Sequence, residues 1–156
     1  MNDLETLYQE LIMDHAKRRV GSGIAALDGH PAATSEQRNP ICGDHIELQV
    51  RLDEGGNVLD TTWTGDGCTI SQASASMLSE LSPGLTETEA ESLVDQFREV
   101  LRSRGKLELD EDTFGDAFAL SGVSKYTARV KCAMLAWVAF EDALRRAEAE
   151  RASSVD

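Results

Sequence analysis

Ile46, Leu48, Val50 and Leu52 alternate with His45, Glu47, Gln49 and Arg51. Side chains alternate faces along a strand, so a period of two over this length demands a β-strand with one face in a core and the other outward. "DEGGN" then turns the chain and "VLDTTWT" returns it, which predicts a hairpin. Extended backwards, the alternation puts Cys42 and Asp44 on the same side as the four apolar residues. A lone ionised carboxylate aimed into a core is costly unless it is paired or bound to a metal. The stretch "NPICGDHIEL" therefore poses a chemical question as well as a structural one.

Around the hairpin the pattern is helical. Leu4, Leu7, Tyr8, Leu11, Ile12 and His15 follow i, i+3, i+4, i+7 spacing and predict an amphipathic helix, with Asn2 and Glu5 resembling a capping box at its start. His15 lies on the apolar stripe and reads as an edge-of-core histidine, not a ligand. "TISQASASMLSEL" is rich in small residues and compatible with a helix. Thr86 with Glu89 forms a second capping box, opening a helix whose inner face carries Leu93, Val94, Phe97, Val100 and Leu101. "TARVKCAMLAWVAFEDALRRAEAERA" predicts a long final helix with Val130, Ala133, Met134, Trp137, Val138 and Phe140 on its buried face. Between these two, only a short helix over residues 114–120 is expected. Residues 21–40, rich in Gly, Ala, Ser and Pro, are expected to form one long loop, and residues 152–156 to fray. With no internal repeat and no break in composition, residues 1–156 read as a single domain.

Charge narrows the classes of function. A formal net charge of −13 argues against nucleic acid, whose phosphates recruit lysine and arginine, and against anionic membrane surfaces. It suits a basic protein partner, or simply keeps the chain dissolved. The acidic N-terminus "MNDLETLYQE" is unlike a secretory leader, and no stretch approaches the roughly 20 apolar residues of a membrane span. A cytoplasmic chain is expected. Its three cysteines, an odd number in a reducing compartment, favour metal binding or thiol chemistry over disulfides.

Cys68 follows Gly65 and Gly67 at a predicted helix start, where the helix dipole and open N–H groups favour a thiolate. Cys132 lies near another helix start, beside Arg129 and Lys131. Tetrahedral zinc accepts thiolate sulfur at about 2.3 Å and carboxylate oxygen at about 2.0–2.2 Å. Cys42, Asp44, Cys68 and Cys132 are therefore candidate ligands, with Arg129 and Lys131 offsetting their charge or steering an anionic sulfur. Plainer readings stand beside these: cysteines as small buried hydrophobes, an aspartate accepting backbone bonds in a turn, cations solvated on a surface. There is no tight CxxC pair. The residues by themselves stop at a Cys/Asp site for a metal or for thiol chemistry.

Taken together, "NPICGDHIEL", "GDGCTISQASASML" and "ARVKCAMLAW" resemble the U-type iron–sulfur cluster assembly family (IscU/NifU-like), and the resemblance runs over nearly the whole chain. It implies an α+β fold, a small antiparallel β-sheet packed by α-helices, with the three cysteines and Asp44 meeting at one end. In the scaffold branch of that family these residues build a [2Fe–2S] cluster. In the SufU branch they hold Zn2+, and the protein accepts persulfide sulfur from a SufS-type cysteine desulfurase. The long spacing from Cys68 to Cys132, Lys131 before the last cysteine, and "SKYTARVKC" where the scaffold branch has Leu-Pro-Pro-Val-Lys are similar to the SufU branch.

For this chain the SufU-like pattern implies a sulfurtransferase with Cys42, Asp44, Cys68 and Cys132 as zinc ligands. Cys42 would be the catalytic thiol, freed when a desulfurase histidine takes its place on the metal. A SufBCD-type assembly complex would be the downstream acceptor. One stretch departs from the pattern: "AKRRVGSG" follows His15 where SufU-like chains usually carry Pro-Arg-Asn. That bears on the N-terminal surface and not on the ligands.

Overall fold

A computed structural model describes residues 3–41 and 43–154 of the chain, so the expected cap at Asn2 and the placement of Cys42 lie outside the described residues. The order of elements is α1 (Asp3–Arg18), β1 (Ala32–Asn39), β2 (Asp44–Leu52), β3 (Val58–Asp66), α2 (Thr69–Leu81), α3 (Glu87–Leu101), α4 (Glu111–Phe114), a 3₁₀ segment (Gly115–Lys125) and α5 (Thr127–Ser154). The architecture is α+β: one antiparallel sheet in the order β1-β2-β3, packed by helices.

The alternating strand is where its pattern puts it. Ile46, Leu48, Val50 and Leu52 of β2 are all buried, and Asp44 at the head of the strand is buried with them. The predicted hairpin partner is β3, with Leu48 opposite Trp63 and Val50 opposite Thr61. A sheet of two strands is marginal by itself; the third strand is β1, which the composition disguises.

Residues 21–40 are thus not one long loop, because β1 occupies 32–39 of them. The register explains why the pattern hides it. The β1 residues opposite Val50, Leu48, Ile46 and Asp44 are Ala33, Ser35, Gln37 and Asn39. Small and polar residues fill the positions where a strand normally shows valine or isoleucine, so there is no apolar alternation to read. The preceding stretch is tied down as well. Gly21 and Gly23 exchange backbone hydrogen bonds with Trp63 at 2.9 and 2.7 Å, and Gln49 and Arg51 donate to the carbonyls of Ala25 and Ala26 at 2.8 and 2.7 Å.

Helix α3 begins at the capping box that its sequence announces: Glu89 N–H donates to Thr86 Oγ1 at 3.1 Å and Thr86 N–H to Glu89 Oε1 at 3.0 Å. Its five predicted inward residues are buried. On α5, Ala133, Trp137 and Phe140 are fully buried while Val130, Met134 and Val138 are half-buried, and the Trp137 ring stacks on Phe97 of α3 with centroids 3.9 Å apart. Arg98 of α3 and Glu141 of α5 clamp the same pair of helices, at 2.9 and 3.4 Å.

Two further expectations are corrected. The short helix forecast for residues 114–120 is a one-turn helix at 111–114 followed by 3₁₀ winding through 125. Asp110 caps the first, accepting from Thr113 N–H at 3.0 Å, and Gly115 and Gly122 weaken α-helical winding in the second. The C-terminal end does not fray from residue 152, since α5 stays helical through Ser154. Its last turns are docked: Glu150 accepts from Ala32 N–H at 3.4 Å and Arg151 donates to the Glu54 carbonyl at 3.3 Å. No helix among the described residues is long and apolar enough to cross a membrane.

Candidate metal centre

Three elements deliver one candidate donor each to the same end of the sheet. Asp44 opens β2, Cys68 is the N-cap of α2, and Cys132 lies in the second turn of α5. A carboxylate oxygen of Asp44 and the two sulfurs all lie within 4.8 Å of one another. Asp44 is 3% exposed and Cys132 6%, while Cys68 opens to the surface. The cluster is therefore a buried wall with one accessible thiol.

The chain reaches this arrangement through two glycines that act by leaving room. A Cβ on Gly65 would collide with the His45 carbonyl and come within 2.9 Å of the Ile46 Cα, so only glycine lets β3 lie this close to β2. A Cβ on Gly67 would stand 3.2 Å from the Asp44 carboxylate carbon and 3.0 Å from Ser71 Cβ. "GDGC" is thus a close-approach sequence that brings Cys68 over Asp44. At Cys68 the backbone is extended (φ −69, ψ 169) and the thiol makes no capping bond to the backbone of its helix.

The carboxylate is served from both sides. Cys68 N–H donates to Asp44 Oδ1 at 3.1 Å, and the Ser71 hydroxyl donates to Asp44 Oδ2. The N-terminus of α2 adds the positive end of a helix dipole next to Cys68. A buried negative group in this position has donors arranged for it, as an isolated one could not.

These donors fit zinc. Tetrahedral Zn2+ with bonds of about 2.3 Å to sulfur and about 2.0 Å to oxygen sets its ligand atoms roughly 3.5–3.8 Å apart. Cys68 Sγ and Asp44 Oδ2 are 3.8 Å apart. Two thiols and a carboxylate are also the softness and charge that such an ion selects. Cys42, the fourth expected ligand, lies outside the described residues. Asn39 and Asp44, before and after it in the chain, are paired across β1 and β2, and Gly43 N–H donates to the Asn39 carbonyl at 2.8 Å.

Arg129 and Lys131 are exposed on the first turns of α5, flanking Cys132 in sequence but contributing no donor to the cluster. Lys131 lines a groove of about 260 Å³ with Arg38, Pro40, Ile41, Met134 and Val138.

Sequence reasoning passed over Ser71. Its signal was the spacing: three residues after Cys68 on a helix means the same face, one turn on. Asn39 was passed over too. It is buried, and its side chain accepts from Ile41 N–H at 3.1 Å, the turn-initiating role that an Asn-Pro pair announces.

His15, expected at the edge of the core, is wholly buried. Its Nδ1 lies 2.8 Å from Ser76 Oγ and its Nε2 3.0 Å from Asp116 Oδ2. Together with Glu80 these atoms form a second donor cluster, but the Arg18 guanidinium, 3.0 Å from His15 Nε2 and 3.5 Å from Glu80, already supplies its cation.

Comparison with known proteins places this geometry in a family. The NifU-like N-terminal domain model matches residues 7–133. The zinc-dependent sulfurtransferase SufU of Bacillus subtilis (strain 168) is 39% identical over 146 residues, covering 94% of this chain and 95% of the relative. The iron–sulfur cluster assembly scaffold protein IscU of Streptococcus pyogenes serotype M1 is 38% identical, covering 94% and 87%. Among solved structures, the putative SUF-system scaffold protein of Fervidobacterium islandicum AW-1 is similar at a TM-score of 0.69 and 32% identity, covering 89% of this chain and 97% of that one. The chain belongs to the NifU-like N-terminal domain family, among the iron–sulfur cluster assembly proteins that include IscU and SufU.

Proposed function

We propose that this protein is a zinc-dependent sulfurtransferase of SUF-type iron–sulfur cluster biogenesis. In this reading it takes persulfide sulfur from a SufS-type cysteine desulfurase onto Cys42 and hands it to a SufBCD-type assembly complex. The observation that carries the reading is the convergence of Asp44, Cys68 and Cys132 within 4.8 Å at the end of the sheet. Likeness to the Bacillus subtilis SufU over nearly the full length of both chains supports it. Zinc bound by these residues and Cys42 would keep the thiols deprotonated at neutral pH and, having no redox chemistry, would exchange no electrons with the sulfur.

The remaining work falls to the chain. Asp44, Cys68 and Cys132 stand on a strand and two helices, which suits them to remain as fixed donors. Cys42 is assigned the sulfur-accepting chemistry. Its thiolate attacks the terminal sulfur of the desulfurase persulfide. A new S–S bond forms on Cys42, the donor's S–S bond breaks, and the donor cysteine leaves as a thiolate, so the exchange is balanced without any oxidant. Lys131 and Arg129 supply positive charge near the approach of an anionic sulfur.

The alternative, a scaffold that assembles a [2Fe–2S] cluster on the same residues, is favoured by the IscU relative at 38% identity. One experiment separates them. The purified protein is mixed with a SufS-type desulfurase and cysteine, its zinc and iron are measured, and its intact mass is followed. The expected result is a colourless protein with about one zinc per chain that gains sulfur on Cys42, and a Cys42→Ser variant that gains none. Sulfur acceptance by Cys42→Ser at the normal rate would remove Cys42 from its role. A brown, cluster-loaded protein that takes up no persulfide would establish the scaffold instead.

A further inference from the structure

We infer that Ser71 is a positioning residue of the metal centre: its hydroxyl fixes the orientation of the Asp44 carboxylate and so sets how tightly the site holds zinc. The inference deepens the zinc reading above and rests on it.

Ser71 lies on the first turn of α2, is 9% exposed, and points into the cluster. Its Oγ donates to Asp44 Oδ2, lies 3.6 Å from Cys68 Sγ and is 3.3 Å from the Cys132 carbonyl oxygen. One hydroxyl thus touches all three residues of the cluster, each on a different element. Serine within a helix usually turns back on its own backbone carbonyls. This one faces outward from its helix to Asp44.

The geometry has a direct consequence. The last torsion of an aspartate is broad, with no strong preference of its own, so its neighbours decide which way the carboxylate faces. Here Cys68 N–H holds Oδ1 and Ser71 holds Oδ2. An ionised carboxylate has about four lone-pair sites, so it can accept hydrogen bonds and ligate a cation at once. Backbone N–H of Cys68 cannot be removed by substitution, but the hydroxyl can. Outer partners of metal ligands typically change affinity about 10–100-fold when lost, because the ligand must then be oriented at the moment of binding.

A serine that merely packs α2 against α5 would make a different prediction. Its loss would lower stability whatever the identity of residue 44. The test uses the full chain and measures Zn2+ affinity by competition with a chromophoric chelator. It compares wild type, Ser71→Ala, Asp44→Ala and the double variant, with melting of each metal-free form as a control.

Ser71→Ala is expected to weaken zinc binding about 10–100-fold while the metal-free form still melts cooperatively. Added to Asp44→Ala, it should change affinity less than about twofold, because no carboxylate remains to be oriented. Wild-type affinity in Ser71→Ala overturns the inference, and so does the same loss in the Asp44→Ala background. Failure of wild type to take up zinc is a separate result, visible before any variant is compared, and it overturns the zinc reading together with this one.

Discussion

Asp44 and His15 are both polar groups placed in the interior, and each is tolerated for a nameable reason. Asp44 is met by a backbone N–H and a hydroxyl, and its third neighbour is a thiol of the cluster. His15 is met by Ser76 on one ring nitrogen and by Asp116 on the other. The two differ in what surrounds them. Asp44 sits among groups that are all donors to a cation, whereas His15 shares its carboxylates with Arg18. His15 is therefore structural. His15→Ala is expected to destabilise the fold by about 2–3 kcal/mol through the cavity and the lost bonds, with zinc affinity unchanged. Urea unfolding and chelator competition on the same variant check both halves; a loss of zinc binding without loss of stability would contradict the assignment.

Between elements, α5 is the spine. It covers β1 and β2, stacks Trp137 on Phe97 of α3, and docks its last turns on the start of β1 and the β2–β3 turn. One position on this helix works against the fold. Burial pushes the Glu148 carboxyl up from its ordinary value, Glu87 and Glu91 add to this, and Arg151 opposes it. Among the described residues Glu148 Oε1 has no hydrogen-bond partner. With its folded pKa above the unfolded one, the native state holds the extra proton in the window between them. The stability so contributed is present below the unfolded pKa and lost as pH rises through the folded one. Glu148→Gln should therefore raise the melting temperature at pH 7, by about 1–3 °C after allowance for solvent screening. The gain should vanish near about pH 3.5, where the carboxyl is protonated in both states. Thermal melts at the two pH values check this, and an equal gain at both would point to packing instead.

Across the whole molecule the metal centre is peripheral to what holds the chain together. One cluster of buried residues joins β2, β3, α2, α3 and α5 without needing an ion. Chains of this length bury roughly two thirds of their unfolded surface and fold without a metal to staple them. The proposed zinc would add to that stability by binding only the native state. Chelation is expected to lower the melting temperature while leaving far-UV circular dichroism and cooperative unfolding in place. Collapse of the helical signal on zinc removal would instead make the ion part of the core, as in zinc fingers.

Period and punctuation were legible because they are local. The alternation from Ile46 to Leu52, the capping box at Thr86 and Glu89, and the apolar face of α5 are each set by neighbours a few residues apart, and the structure has all three. The nomination of Asp44 and Cys68 also came from local signs, a carboxylate on a buried strand face and a thiol at a helix start. What stayed hidden was whatever depends on the opposite strand or a distant helix. β1 has no apolar alternation: beside Val50 and Leu48 it carries only Ala33 and Ser35, and α5 packs over the strand. The docking of Glu150 and Arg151, the deep burial of His15 and the bond from Ser71 to Asp44 arise from partners far along the chain. The sequence by itself determined which residue types could bind a metal and that the segments of β2, β3, α1, α3 and α5 would be strand or helix. Only the tertiary structure decided that Asp44, Cys68 and Cys132 share one small volume, because their meeting depends on how a sheet, with no room for a Cβ at Gly65, packs against two helices.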